Sequence, residues 1–201
     1  MRHGARSGAA HAPWRAVGPA VFYAGEVLPV VGDADIERLQ TNLGRAPRRR
    51  VRLCAHADVD DSLHDMFIVL ARDSYVRPHR HLDRAESLHV IDGRADAVLF
   101  DAHGTIVRVV ALGAFSASGG RGDVDGFFYR LAEPVFHTLV VRSERFVFHE
   151  ATTGPWSPEA TEPAPWAPDE ADPAATAFRA ALEAKTDQFL SGRPPDARPH
   201  K

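Results

Sequence analysis

Nine short apolar segments follow one another between Arg48 and Thr152, and no helical segment separates them. They are rich in Val, Ile and Phe, and Asp, Gly and Pro residues divide them, which is typical of β-strands and their turns. The segments read VRLCAH, HDMFIVLA, SYVRPH, ESLHVIDG, RADAVLFD, TIVRVVALG, GFFYRLA, FHTLVV and RFVFHEAT. This succession predicts an antiparallel sandwich or barrel rather than a βαβ arrangement.

Two glycines indicate where the chain turns between these strands. Asp92-Gly93 is expected to join one pair of strands, and His103-Gly104 the next pair. Glycine suits these places because tight hairpins need residues with positive φ. The sequence therefore predicts a meander of hairpins in this part of the sheet.

Helix signals stand on both sides of the strands. The stretch GDADIERLQTNLGRAP offers Asp33 as an N-cap and ends at Gly44 and Pro47, so a short helix should precede the barrel. The stretch DPAATAFRAALEAKTDQFL offers Asp172 as an N-cap and Pro173 in the first turn, so a second helix should follow it.

The remaining segments are connections and ends. Trp156 and Trp166 lie in a proline-rich stretch, and two large aromatic residues there predict an ordered strap over the barrel. The glycine-rich segment from Ser116 to Gly126 predicts a mobile loop. The predicted parts are a flexible leader at 1–30, the barrel with its preceding helix at 31–152, the strap at 153–172, the C-terminal helix at 173–190 and a disordered tail at 191–201.

The composition limits the partners and the chemistry. Of the 201 residues, 44% are apolar and 25% charged, which suits one globular core. The net charge of -3 gives no electrostatic reason to expect a nucleic-acid or membrane partner. Cys54 is the single cysteine, so a metal would need nitrogen and oxygen ligands. No signal peptide or membrane span is recognised, which predicts a cytoplasmic protein.

The stretch HRHLDRAE, from His79 to Glu86, has the spacing of a metal site. His79 and His81 project to the same side of a strand, because alternate residues of a strand share a face. Glu86 begins the next strand, and a tight connection would return its carboxylate to the two imidazoles. His137, which follows the turn at Pro134, is the best candidate for a fourth ligand. Two or three nitrogens and one carboxylate suit a divalent ion such as Fe, Mn, Ni, Co or Zn.

A lone histidine on a strand is more often structural than a metal ligand. The other histidines that compete for this role are His56, His64, His89, His103 and His149. His89 has the opposite parity to Glu86 and should point away from the site. His103 is interpreted as a turn residue. His56 and His149 remain open candidates.

Candidates for binding a substrate flank the proposed ligands. Arg77 and Tyr75 share the parity of His79 if the strand runs straight back through Pro78. Arg77 would grip a carboxylate, a phosphate or a sugar hydroxyl, and Tyr75 would support the site or act as a base.

Further candidates lie outside this stretch. Arg52 is a second arginine for the barrel mouth, although surface arginines are usually solvated. His56 is a candidate general base. Glu150 either points to solvent or supports an imidazole, and the sequence leaves both possibilities open.

The histidine stretches resemble the two motifs of the cupin superfamily. HRHLDRAESLHVIDG is similar to the first motif through His79, His81, Glu86 and Gly93, and EPVFHTLVV is similar to the second through His137. The chain most resembles the WbuC family of cupin-fold metalloproteins over residues 36–170. The matching stretches are PRRRVRLCAH, SYVRPHRH, VLFDAHG, FHTLVV, HEATTGPW and WAPDE.

This resemblance implies a fold and a range of functions. The fold would be an all-β cupin-type double-stranded β-helix, a jelly-roll barrel, with a short N-terminal and a C-terminal helix. One divalent transition metal (Fe, Mn, Ni or Zn) would bind in the barrel mouth beside a small polar ligand. Some members of the family occur in gene settings for bacterial surface polysaccharides, which suggests a sugar or sugar-nucleotide derivative as this ligand. The protein would be a metal-dependent isomerase or oxygenase, such as a dioxygenase, or a non-catalytic accessory protein, and a homodimer is expected by analogy.

Overall fold

The computed structural model describes residues 14–115 and 124–192. The first part of the predicted leader, most of the glycine-rich loop and nearly all of the predicted tail lie outside these described residues. The helices and strands are β1 Arg15–Ala16, β2 Val21–Tyr23, α1 Asp33–Leu43, β3 Arg50–Cys54, β4 Leu63–Ala71, β5 His79–His81, β6 Glu86–Phe100, β7 Ile106–Gly113, β8 Phe128–Leu131, β9 Phe136–Thr153, β10 Thr161–Pro163 and α2 Ala175–Ser191.

Two long strands, β6 and β9, pair along their length and connect the two sides of the barrel. The first half of β6 and the second half of β9 form one side with β1, β2, β3, β4 and β8. The other halves form the second side with β5, β7 and β10. All pairs are antiparallel except β2 with β3. The predicted all-β jelly-roll barrel with a helix on each side is confirmed.

Gly93 lies where β6 bends from one side of the barrel to the other. The β6–β9 register shifts on both sides of it, and its φ is 82°. A Cβ atom at this position would lie 2.2 Å from the carbonyl oxygen of Arg145. The prediction of a hairpin at Asp92-Gly93 is therefore wrong, because one continuous strand bends there at a bulge. The hairpin at His103-Gly104 is confirmed between β6 and β7, with Gly104 at φ 85°.

The helix α1 covers the outer face of the first sheet. Leu39 and Leu43 are buried there. The N-cap is Gly32 rather than the predicted Asp33, and the carboxylate of Asp35 accepts a hydrogen bond of 3.0 Å from the Gly32 amide. Asp33 instead occupies the first turn, where its negative charge complements the helix dipole.

The segment between β9 and α2 packs on the second sheet. The ring of Trp166 lies 5.0 Å from Phe100 and 6.1 Å from Phe136, whereas Trp156 is 52% exposed. β10, a strand that the sequence did not predict, pairs with β5. The segment therefore adds an edge strand beside two of the predicted metal ligands.

The helix α2 begins at Ala175, two residues after Pro173. The side chain of Asp172, the predicted N-cap, accepts a hydrogen bond of 2.8 Å from the Ala174 amide before the helix starts. Glu183 binds both Arg72 and Arg142 of the barrel, which ties α2 to the sheet. Within the described ranges, neither helix is long and apolar enough to cross a membrane.

Candidate metal centre

Three imidazole rings meet inside the barrel. His79 and His81 lie on β5, and His79 pairs in register with His137 on β9. One ring nitrogen from each lies within 4.8 Å of the others. This geometry follows from strand parity within β5 and from the direct β5–β9 pairing.

The three rings are held by hydrogen bonds at Nδ1. His79 Nδ1 lies 2.9 Å from the Arg77 carbonyl oxygen, and His137 Nδ1 lies 2.9 Å from that of Val135. A carbonyl oxygen only accepts, so both Nδ1 atoms carry a proton, and Nε2 is the nitrogen of each ring that a metal would bind. His81 Nδ1 lies 3.1 Å from the Thr161 hydroxyl on β10, which orients the third ring in the same way.

Glu86 completes the group. Its two carboxylate oxygens lie 3.1 Å from His81 Nε2 and 3.2 Å from His137 Nε2. The hydroxyl of Tyr129 donates a 2.9 Å hydrogen bond to the same carboxylate. Burial raises the pKa of Tyr129 well above its ordinary value, so this hydroxyl keeps its proton and remains a donor. The structure thus brings all four predicted ligands together.

The protonation of these residues reflects a concentration of charge. Burial, and then the charge of His137, lower the pKa of His79 to about 4. Burial would raise the pKa of Glu86, but the hydrogen bonds from His137 and His81 outweigh it and hold this pKa well below its usual range. Burial would likewise lower the pKa of His137, and contact with Glu86 raises it instead. A carboxylate held ionised beside three imidazoles is a binding environment for a cation.

The donor set fits a divalent transition metal. Three imidazole nitrogens and one carboxylate oxygen are the ligands that borderline ions such as Fe, Mn, Ni and Zn prefer. Each imidazole already has the Nδ1 partner that metal-bound histidines usually have. The three histidines could therefore hold such an ion, with Glu86 as the adjacent oxygen ligand.

These residues form part of the wall of a cavity of about 430 Å³. The lining also includes arginine side chains from β3 and the segment before it, and acidic side chains from the strap. The polar and charged lining residues are Arg48, Arg50, Arg52, His64, Arg77, His79, His81, Arg84, Glu86, Tyr129, His137, Thr138, Glu150, Thr152, Thr161, Asp169 and Glu170.

Two histidine motifs on paired strands, facing the interior of a two-sided barrel, decide the fold. It is a cupin-type barrel. Residues 31–112 match a family described as a domain of unknown function, DUF6016. None of the curated proteins compared with the sequence matches it.

Several solved structures are distantly similar to this cupin barrel. Procruciferin, an 11S globulin from Brassica napus, is 17% identical over 47% of this chain, with a TM-score of 0.37, and the chain covers 21% of its length. KdgF from Halomonas sp. is 13% identical, with a TM-score of 0.41, and the match covers 57% of this chain and 86% of KdgF. A cupin superfamily protein from Desulfitobacterium hafniense is 10% identical, with a TM-score of 0.38, and the match covers 52% of this chain and 76% of that protein.

The predicted substrate residues separate into two groups. Arg52 and Arg77 line the cavity of the cupin barrel. Tyr75 lies elsewhere: its hydroxyl donates a 3.0 Å hydrogen bond to the Pro168 carbonyl oxygen, and its ring packs against Phe178. The parity argument fails for Tyr75 because β5 begins only at His79, after Pro78.

His56 also lies outside the cavity lining. It is buried and stacked on His64, with ring centroids 4.2 Å apart, and its Nδ1 lies 3.1 Å from the Asp65 amide nitrogen. His64, a competing histidine to which the sequence assigned no role, lines the cavity, and its buried Nε2 has no hydrogen-bond partner among the described residues. The parity of His64 with Met66 and Ile68 in β4 was the available signal.

The other histidines follow the sequence interpretation in part. His89 is exposed, as its parity predicted. His103 lies in the β6–β7 turn. His149 is on the outer face, where its Nε2 lies 3.1 Å from Asp65 Oδ1.

Glu150 lines the cavity, and no hydrogen bond joins it to an imidazole of the described residues. It is cross-strand from Met66 on β4 and from Leu88 on β6. Burial, and then the negative charge of Glu86, raise the pKa of Glu150 to about 7. This side chain can therefore hold or release a proton near neutral pH.

Replacing Glu150 with glutamine is expected to change how stability depends on pH. The native carboxyl, with its pKa near 7, keeps a proton that the unfolded one loses above its ordinary pKa of 4.5. The contribution of Glu150 to the free energy of unfolding of the metal-free protein should therefore fall as pH rises from 4.5 to 7, by up to about 3 kcal/mol. In urea unfolding, the free energy of unfolding of Glu150→Gln relative to that of the wild type should be higher at pH 8 than at pH 5. An equal difference at both pH values contradicts the assignment.

Proposed function

We propose that the protein binds one divalent transition metal ion through His79, His81, Glu86 and His137 and uses it to bind and activate a small polar molecule. The observation that carries this proposal is the position of the ligand group. It lies on the wall of a 430 Å³ cavity rather than in a sealed core, so a bound ion would keep a coordination position open toward the cavity.

Different residues of the chain would orient the metal ligands, bind the small molecule and hold a proton. When bound, the metal supplies Lewis-acid activation of an oxygen of the substrate. The Arg77 and Val135 carbonyl oxygens and the Thr161 hydroxyl fix the three imidazoles, and Tyr129 fixes Glu86. Arg52 supplies hydrogen-bond donors to the ligand, and Glu150 holds or releases a proton in the cavity.

The reaction class and the setting are part of the same proposal. A metal-dependent isomerase or an oxygenase suits an open metal position beside a proton-transferring carboxyl. A sugar or sugar-nucleotide derivative is the ligand that the resemblance to the WbuC family suggests. The cytoplasmic location and the homodimer expected from the sequence stay predictions.

A second candidate is a non-catalytic protein whose metal stabilises the barrel. The strap carboxylates favour it, because they already occupy several cavity arginines. Glu170 lies 2.9 Å from Arg48 Nε and 3.5 Å from Arg50 Nη2, and Asp169 lies 3.3 Å from Arg77 Nη1. In this function the ion would be closed by four protein ligands.

Cobalt substitution distinguishes the two candidates. Protein loaded with one equivalent of Co²⁺ should show visible absorption bands, and azide should shift them by taking the open position. Cobalt bands that azide leaves unchanged would favour the closed, structural site. Failure of the protein to bind Co²⁺ would reject both candidates, and His79→Ala loaded in the same way serves as the control for specific coordination.

A further inference from the structure

Two arginines that line the cavity, Arg52 and Arg84, have no acidic partner among the described residues, and Arg84 instead donates a hydrogen bond to the Pro155 carbonyl oxygen of the strap. Arg48 and Arg50 share Glu170, and Arg77 pairs with Asp169. Arg52 has no carboxylate within ion-pair distance among residues 14–115 and 124–192. Its only polar contact there is a weak one, 3.8 Å from Nη1 to the sulfur of Met66. Most of its donors therefore face the cavity unused.

One carboxylate that lines the cavity also lacks a partner among the described residues. Glu150 forms no hydrogen bond or ion pair with any described residue, and it lines the same cavity. It is cross-strand from Met66, the residue that Arg52 reaches. The two charged groups thus lie on neighbouring parts of one wall, within electrostatic range but without direct contact.

Half-buried charged groups of this kind need polar partners, since burying them without hydrogen bonds is unfavourable. A ligand that satisfies both must carry an oxyanion for the forked donors of Arg52 and a hydroxyl donor for Glu150. A neutral ligand would leave the positive charge of Arg52 without a counter-charge, and an apolar ligand would leave both groups without a hydrogen-bond partner. The cavity volume of 430 Å³ lies within the roughly 300–1,000 Å³ usual for small-molecule sites.

We propose that the ligand of this cavity is a small polyhydroxylated anion, with its carboxylate or phosphate bound by Arg52 and its hydroxyl groups bound by Glu150 and the metal. This inference rests on the proposed function, because it places the ligand beside the metal centre. It goes further by naming the chemical class and by assigning the anion to Arg52, rather than to the cavity arginines that already bind the strap.

Isothermal titration of the zinc-loaded full chain with three probes tests this assignment. Gluconate offers a carboxylate, glucose 6-phosphate offers a phosphate, and glucitol offers hydroxyl groups without charge. At least one anion should bind, and glucitol should bind at least about 10-fold more weakly than that anion. The anion that binds more tightly identifies the carboxylate or the phosphate as the group recognised.

Variants assign the anion to one side chain. Arg52→Gln should weaken anion binding by about 10- to 100-fold, because a charge-assisted, forked contact is lost. Arg145→Gln, an exposed arginine on β9, is the matched control and should leave the affinity unchanged. If Arg52→Gln does not fold, Arg52→Lys keeps the charge without the fork and should weaken binding to a smaller degree.

The inference is overturned if neither anion binds, if glucitol binds as tightly as the anions, or if the Arg52 variants bind like the wild type. Zinc content measured on the same samples separates the two levels of the account. Stoichiometric zinc with no anion binding removes this inference and leaves the proposed metal site. Absence of zinc removes the proposed function itself.

Discussion

Replacing His79 with alanine is expected to remove the metal from the protein. Its ring lies 4.7 Å from that of His137 and 5.0 Å from that of His81, so its loss leaves the site with one imidazole from each of β5 and β9. Changing even a residue that only orients a metal-bound histidine lowers metal affinity by about 10- to 100-fold, and loss of a ligand should exceed this. Elemental analysis of protein purified without chelators measures the effect.

Two comparisons make the His79→Ala result specific. His89→Ala removes an exposed histidine from β6 and should keep the wild-type metal content. The melting temperature of the wild type should rise when metal is added, since a ligand at 100 times its Kd stabilises the native state by about 2.7 kcal/mol. A His79→Ala protein that retains full metal, or that responds to added metal like the wild type, contradicts the site.

Replacing Gly93 with alanine is expected to cause a large loss of stability. The residue has φ 82°, and its added Cβ would lie 2.2 Å from the Arg145 carbonyl oxygen and 2.6 Å from Ser143 Oγ. The left-handed conformation alone costs roughly 1–2 kcal/mol for a residue with a side chain. Displacing the backbone at the bend between the two sides of the barrel should bring the total to about 3 kcal/mol or more.

Urea unfolding of Gly93→Ala measures this loss directly. Gly44→Ala is the matched control, because Gly44 has φ -64° and nothing lies within 4 Å of its added Cβ. The control should change the free energy of unfolding by less than about 1 kcal/mol. Equal stability of the two variants would show that the bend at Gly93 tolerates a side chain, which contradicts the described geometry.

The parts of the site that sequence reasoning predicted are those that depend on local geometry. His79 and His81 share a face because alternation within a three-residue strand needs no knowledge of its partners. The same reasoning failed for Tyr75, where Pro78 interrupts the strand and the parity cannot be carried across it.

The parts that sequence reasoning left open or missed depend on long-range pairing. The position of Glu150 is set by the register of β9 with β4 and β6, and two register shifts in the β6–β9 pair fall between Val90 and Ala95. A shift of one residue exchanges the two faces of a strand, so no local pattern could decide where Glu150 points. β10 was missed for a similar reason, since only its pairing with β5 makes the proline-rich segment a strand.

Anomalous diffraction at the absorption edge of the bound metal tests the central claim most directly. Crystals of the metal-loaded protein should show one strong anomalous peak per chain, at bonding distance from the Nε2 atoms of His79, His81 and His137 and from the Glu86 carboxylate. A peak bonded to other residues, or fully loaded crystals with no peak at this position, would contradict the account.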